Sequence, residues 1–292
     1  MPEFNLRYAP HLGYVSPVPQ FVQSVGGSDP YDHARFAREK GFAGLFHPWA
    51  ASSTSQQLNQ FREGLRDFGL QAGTIAYAPF DEALKPYWVN SDSKDRDHLM
   101  DLVMASVSLA SGLGARTVAV LVMAAEGRST AEQFATARDN LRRAADIAAR
   151  SDVMLGIEPM IAVPGMLLQS AYSTAELVSQ VDHPAVGLIF DTGHVAAMDG
   201  DVLKAQQDLE GVVCAYQLAD MPGRTEPGSG GLDFVPLLAR LISQGHDGLV
   251  ELEHGWSDDA ASTEIAGIEH LRAIDSDARM QATAGAGAGA GA

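Results

Sequence analysis

Eight short apolar runs, each followed by a segment of helical spacing, order this 292-residue chain almost from end to end. The runs lie over Asn5–His11, Ala43–Phe46, Gln71–Tyr77, Thr117–Val122, Met154–Glu158, Val186–Asp191, Val212–Leu218 and Gly248–Glu253. Helices are expected over Tyr31–Lys40, Ser55–Phe68, Ser93–Leu113, Thr130–Arg150, Ser173–Val181, Val202–Leu209, Phe234–Gln244 and Thr263–Ala273. Gly41, Gly69, Gly114 and Gly245 give natural stops, and Ser173 with Glu176 fits a capping box. Strands that alternate with helices form a parallel sheet with right-handed crossovers. Eight pairs suit a closed α/β barrel, a single (β/α)8 TIM barrel, for which about 250 residues is typical. The rival, an open doubly wound sheet, would carry a Gly-rich turn after an early strand, and no GxGxxG or P-loop pattern occurs. The barrel is assigned to residues 1–278, and the low-complexity Ala-Gly segment 279–292 is expected to be a flexible tail.

Charge narrows the partners. Twenty basic residues against 37 acidic ones leave a net charge of −17. Such a surface repels nucleic acid and anionic membranes, whose capture needs clustered Lys and Arg. The charge favours solubility and is compatible with a homo-oligomer. A single cysteine, Cys214, excludes an internal disulfide framework and a thiolate zinc site. Its parity on the seventh strand points away from a barrel interior, so packing against a helix is expected of it. The N-terminal stretch lacks a basic region followed by an apolar one, and no run of 18 apolar residues exists. A cytoplasmic protein acting on small molecules is the expectation.

The candidate chemistry sits where strands end. Active sites of (β/α)8 barrels lie at the C-terminal ends of the strands. Glu158, Asp191 and Gln217 fall there on strands five to seven, and strand eight offers both Glu251 and Glu253, which share one parity. Converging carboxylates repel and raise one another's pKa unless a cation joins them. All-oxygen ligands favour a hard divalent ion, Mg2+ or Mn2+. After strand seven comes the loop YQLADMPGRTEPGSG, Tyr216–Gly230, which carries Gln217, Asp220, Arg224 and Glu226. His194 lies three residues after Asp191. His47, Trp49 and Trp88 follow strands two and three and are available to wall a pocket or simply to pack.

Four segments together resemble a known group. LGIEPM, FDTGHVAAMDGD, QLADMPGRTEPGSG and GLVELEH are similar to the sugar isomerase/epimerase superfamily with a xylose-isomerase-like barrel, and within it to the hydroxypyruvate isomerase family. The likeness is strongest over 155–256. It implies Glu158, Asp191, Gln217 and Glu253 as ligands of one divalent ion, with Glu253 rather than Glu251 in that role. It also implies Glu158 and Glu253 as paired bases, and His194, Arg224 and Glu226 as substrate contacts; Trp88 and His47 are added to the substrate side from their positions after strands three and two. The activity implied is isomerisation of an α-hydroxy carbonyl compound, a sugar or keto acid such as hydroxypyruvate, through a cis-enediolate. Ketose 3-epimerisation, metal-dependent loss of water from an oxidised sugar, and non-catalytic sugar binding are the alternatives. Met160, Ile161, Ala162 and Val163 stand where a polar residue is expected, Thr192-Gly193 replaces a bulkier pair, and Gly231 stands where glutamate is common. These departures make the pocket wall more apolar and roomier.

Overall fold

The computed structural model describes residues 4–161 and 163–289. Its strands are β1 (Arg7–Pro10), β2 (Gly44–Leu45), β3 (Gln71–Ala72), β4 (Ile75–Ala76), β5 (Thr117–Val120), β6 (Met154–Ile157), β7 (Val186–Asp191), β8 (Val213–Leu218) and β9 (Leu249–Leu252). The expected third strand is thus two pieces. Gln71 donates to Ala43 O, whereas Tyr77 donates to Ala119 O, so the chain changes partner strand across Gly73-Thr74. Ala162 of the apolar wall, the first three residues of the assigned barrel and residues 290–292 of the tail lie outside the described residues.

The chain divides into two compact units. One takes the residues up to Phe46, Gln57–Gln71 and those from Gln217 on; the other takes His47–Gln56 and Ala72–Tyr216. In the second unit β4, β5, β6 and β7 pair in parallel, with Ile75 opposite Val118, Val118 opposite Leu155, and Ile157 opposite Leu188. Every residue of β7 is buried, as expected of a strand covered on both faces. Gly187 is required there: a Cβ would meet the Cβ of Cys214 at 2.6 Å. Cys214 also packs on the neighbouring strand, where its Sγ lies 3.4 Å from Leu188 O.

Helix caps in this unit follow the sequence closely. Ser93–Leu113 starts at Asp92, whose carboxylate accepts from Lys94 N and Asp95 N, and stops at Gly114 in the left-handed region. Thr130–Ala149 opens on a Ser129–Glu132 capping box and buries Ala137, Leu141, Ala144, Ala145 and Ala148 along one stripe. One cap differs from expectation. The next helix runs Ala171–Val181, and its box is Ser170 with Ser173, not Ser173 with Glu176. The Ser173 hydroxyl is near enough to accept from Ser170 N, so serine fills the place a glutamate usually takes.

In the first unit β1 and β9 pair in parallel, from Arg7 opposite Leu249 to Pro10 opposite Leu252. Glu253 N continues the ladder by donating to Leu218 O at the end of β8 (3.0 Å). The last helix spans Ala261–Gly289, so residues 279–289 continue it rather than begin a separate segment. Extending a formed helix through alanines needs no new nucleus. This helix also holds the start of the chain. Buried Asp275 accepts from Asn5 N, Asn5 Nδ2, Leu6 N and the Tyr8 hydroxyl at 2.7–3.2 Å. Burial, assisted by that carboxylate, pushes the Tyr8 phenol well above its ordinary pKa. Asp275→Ala leaves at least two buried donors without an acceptor and is expected to cost about 2–3 kcal/mol of stability, with Asp275→Asn costing less. Urea unfolding measures this, and a loss under about 0.5 kcal/mol would remove Asp275 from the role.

Candidate metal centre and active site

Glu158 follows β6 directly, and its N–H makes the last ladder bond, to Val120 O (3.1 Å). Asp191 closes β7 and at once caps the Thr192–Met198 helix, accepting from His194 N at 2.7 Å. That short helix was not expected from the sequence. Its signal is the Asp-Thr-Gly-His run, an acceptor three residues ahead of the N–H it caps. The turn carries His194 back towards Glu158. The three side chains are 4%, 1% and 3% exposed for Glu158, Asp191 and His194. Each places one ligand atom within 4.8 Å of the others. Two carboxylates buried this closely are costly unless a positive charge compensates them.

His194 has a defined polarity. Ile161 N donates to its Nδ1 (3.3 Å), so the neutral ring carries its proton on Nε2. Nε2 lies 3.6 Å from Glu158 Oε1. This geometry makes His194 a donor towards the carboxylate side of the site rather than a lone-pair ligand. The backbone of the apolar segment after Glu158 thus fixes the tautomer, a link invisible in the sequence.

Gln217, Glu251 and Glu253 belong to the other unit. Gln217 is buried on β8 and donates from Nε2 to Glu251 Oε2 (3.1 Å). Its Oε1 is buried and has no hydrogen-bond partner among the described residues. An amide oxygen left so costs about 1–3 kcal/mol unless a ligand takes it. Glu253 stands one residue past β9 and accepts from Arg224 Nη2 at 2.9 Å, while Nη2 also meets Glu253 O at 3.0 Å. Arg224, expected at the substrate, is therefore seen as the counter-ion of Glu253. Its φ of 53° lies in the left-handed region, a conformation that a non-glycine residue holds only when its surroundings over-determine it.

The loop that carries Arg224 is built on Asp220. Its Oδ1 accepts from Met221 N and Leu232 N and its Oδ2 from Gly228 N and Gly230 N, at 2.7–3.0 Å. Gly230 must be glycine, because a Cβ would meet Asp220 Oδ1 and Met221 O at 2.5 Å. Asp220 is thus the loop's internal anchor, a role the sequence left unassigned. Glu226, expected at the substrate, uses both oxygens on Ser257, accepting from its N–H (2.9 Å) and hydroxyl (2.6 Å). A network the sequence did not suggest lies beside Glu253. His11 takes Gly13 N on Nδ1 and donates from Nε2 to His254 O, and Gln20 Nε2 lies 2.8 Å from His254 Nε2. The available signal was His254 itself, next to Glu253 in the motif.

Trp88 and His47 were expected to border the substrate. Trp88 is fully buried and meets Tyr77 edge-on, with ring centroids 5.4 Å apart. The His47 ring is buried with Nε2 3.0 Å from the Ser53 hydroxyl, and burial pushes its pKa down to about 4.

Comparison with known proteins fits this arrangement. The pattern of the xylose isomerase-like TIM barrel family matches residues 34–274. The 2-oxo-tetronate isomerase of Pectobacterium atrosepticum is 27% identical over 76% of this chain and 85% of its own. The hydroxypyruvate isomerase of Escherichia coli is 27% identical over 54% of this chain and 62% of its own. A solved structure described as an AP endonuclease, family 2, from Brucella melitensis superposes with a TM-score of 0.74, covering 88% of this chain and 96% of its own at 23% identity. The chain belongs to the xylose isomerase-like TIM barrel family, on its hydroxypyruvate isomerase branch, and is an isomerase with the (β/α)8 fold. No helix among the described residues is long and apolar enough to cross a membrane.

The neutral His47 makes stability depend on pH. The unfolded ring gains its proton near 6.5 and the folded one only near 4. Its contribution is therefore complete above 6.5 and is lost as pH falls towards 4, at up to about 1.4 kcal/mol per pH unit. His47→Asn is expected to flatten the fall between pH 6.5 and 4 in urea titrations. An unchanged slope would contradict the assignment.

Proposed function

We propose that the protein interconverts an α-hydroxy aldehyde and the corresponding ketone in a small keto acid or sugar acid, with hydroxypyruvate and tartronate semialdehyde as the reference pair. Its centre is one divalent cation, Mg2+ or Mn2+, held by Glu158, Asp191, Gln217 and Glu253. The observation that carries this reading is the buried pair of carboxylates, Glu158 and Asp191, gathered within 4.8 Å beside the His194 ring. In the family's barrel the strand ends open on a common site, and Gln217 and Glu253 occupy the ends of the following strands. The donor set suits a hard cation: three carboxylates and one amide oxygen. The buried Gln217 Oε1, without a partner among the described residues, fits the same demand.

The cation, when bound, acts as a Lewis acid on the substrate's carbonyl and hydroxyl oxygens. The protein's own groups do the proton transfers. One of Glu158 and Glu253 removes the proton from the hydroxyl-bearing carbon beside the carbonyl and returns a proton to the former carbonyl carbon, while the hydroxyl proton passes to the former carbonyl oxygen; both transfers together exchange aldehyde and ketone. Return to the same carbon from the opposite face would be epimerisation. His194, with its proton on Nε2, donates to a substrate oxygen and holds it in line. Arg224 orients Glu253 through their ion pair, and its planar fork suits a carboxylate end of the substrate. Glu226 and Asp220 keep the loop that delivers Arg224 in one conformation.

Glu158→Gln and Glu253→Gln are each expected to lower turnover by about 10²–10⁴-fold, with solvent deuterium no longer entering the substrate. Proton NMR of hydroxypyruvate, 2-oxo-tetronate and ketoses in D2O follows both. Chelator is expected to abolish activity and Mg2+ or Mn2+ to restore it. Full deuterium exchange in both variants, or activity indifferent to chelator, overturns the proposal. Inversion of one carbon with no change of carbonyl position would move the assignment to an epimerase.

A further inference from the structure

We infer that Glu251 is a positioning residue for the cation: it holds the Gln217 amide so that its oxygen, not its nitrogen, faces the ion. The inference rests on the reading of Gln217 as a ligand and assigns a further residue to it. Glu251 and Glu253 share one face of a strand end, and only Glu253 was expected to act. Yet Glu251 is buried at 3% exposure, one layer below. A buried carboxylate there calls for an account, because burial without a partner is costly. One of its contacts supplies it. Gln217 Nε2 donates to Glu251 Oε2 at 3.1 Å. Nitrogen and oxygen of an amide differ only in what they bond, and an ionised carboxylate can only accept. The NH2 group must then turn to Glu251 and the carbonyl oxygen to the opposite side. That oxygen is the one buried without a partner among the described residues.

The contact does two things. It removes the flipped amide, which would present two N–H donors to a cation. It also draws on the amide N–H, which enriches the oxygen in electron density and makes it a better ligand. Partners that orient metal ligands in this way change affinity by roughly 10–100-fold when removed. Glutamine alone at this position would be a weak and ambiguous ligand; glutamine backed by a carboxylate is a defined one.

Binding of Mn2+ to the metal-free protein, read from the EPR signal of the free ion, tests this without any turnover. Glu251→Ala and Gln217→Ala are each expected to weaken binding about 10–100-fold. The double variant is expected to bind no more weakly than Gln217→Ala, because Glu251 acts through the amide. A carboxylate that merely attracted the ion, or bound it directly, would give additive losses instead, and additivity overturns the inference. So does an unchanged dissociation constant in Glu251→Ala. Glu251→Gln keeps the shape if the alanine variant does not fold, and it restores the chance of a flipped pair, so it too is expected to weaken binding. Unchanged binding in Gln217→Ala removes Gln217 from the ligand set and the inference with it, while the rest of the site stands. Wild-type protein that binds no Mn2+ overturns the metal centre itself and this inference with it.

Discussion

Buried negative charge at strand ends is the constraint on which the rest turns. Glu158, Asp191, Glu251 and Glu253 all lie below a tenth of their exposed surface. Three of them are fixed by backbone geometry: Glu158 and Glu253 by the final ladder bonds of β6 and β9, Asp191 by capping its own helix. A chain does not gather such groups for stability, because desolvated carboxylates oppose folding. The surrounding sequence spends its remaining polar groups on containing them. Arg224 neutralises Glu253, Gln217 engages Glu251, and His194 leans on Glu158.

Rigidity around these charges comes from a second set of acids that bind the protein's own donors. Asp220 gathers four backbone N–H groups and so forces the Met221–Leu232 loop into one shape. Glu226 ties the same loop to Ser257, and Asp275 ties the last helix to the first strand. With this support Arg224 can occupy a left-handed backbone position that would otherwise be unfavourable. The high acidic content of the chain therefore has at least three separate placements: buried strand ends, loop anchors and the surface.

These placements were not equally legible beforehand. The helices over 55–68 and 93–113 and the strand Val186–Asp191 emerge with the bounds that apolar period and capping residues indicated. The alternation of strand and helix was enough for the barrel class, since few architectures accommodate it. The strand-end positions of Glu158 and Asp191 were identifiable because they terminate apolar runs. Asp220 and Glu226 were visible only as polar loop residues. Nothing local distinguishes an acid that binds backbone N–H groups from one that faces a substrate, so the bonds of Glu226 to Ser257 could not be read from the loop's sequence. The capping box at Ser170 was misplaced by three residues because serine and glutamate compete for the same hydrogen-bonding role.

The amino-acid order alone settled what depends on neighbours in the chain: hydrophobic period, helix starts and stops, and the polar residue, carboxylate or amide, at the end of each late strand. What it left to the folded chain were pairings between distant residues. The His194 tautomer depends on Ile161 N, the orientation of the Gln217 amide on Glu251, and the ionic partner of Glu253 on Arg224. Each is set by which donor meets which acceptor at a sequence separation of 29–34 positions. Hydrogen bonds act over about 3 Å, so no pattern along the chain can specify them until strands and loops have been brought into register.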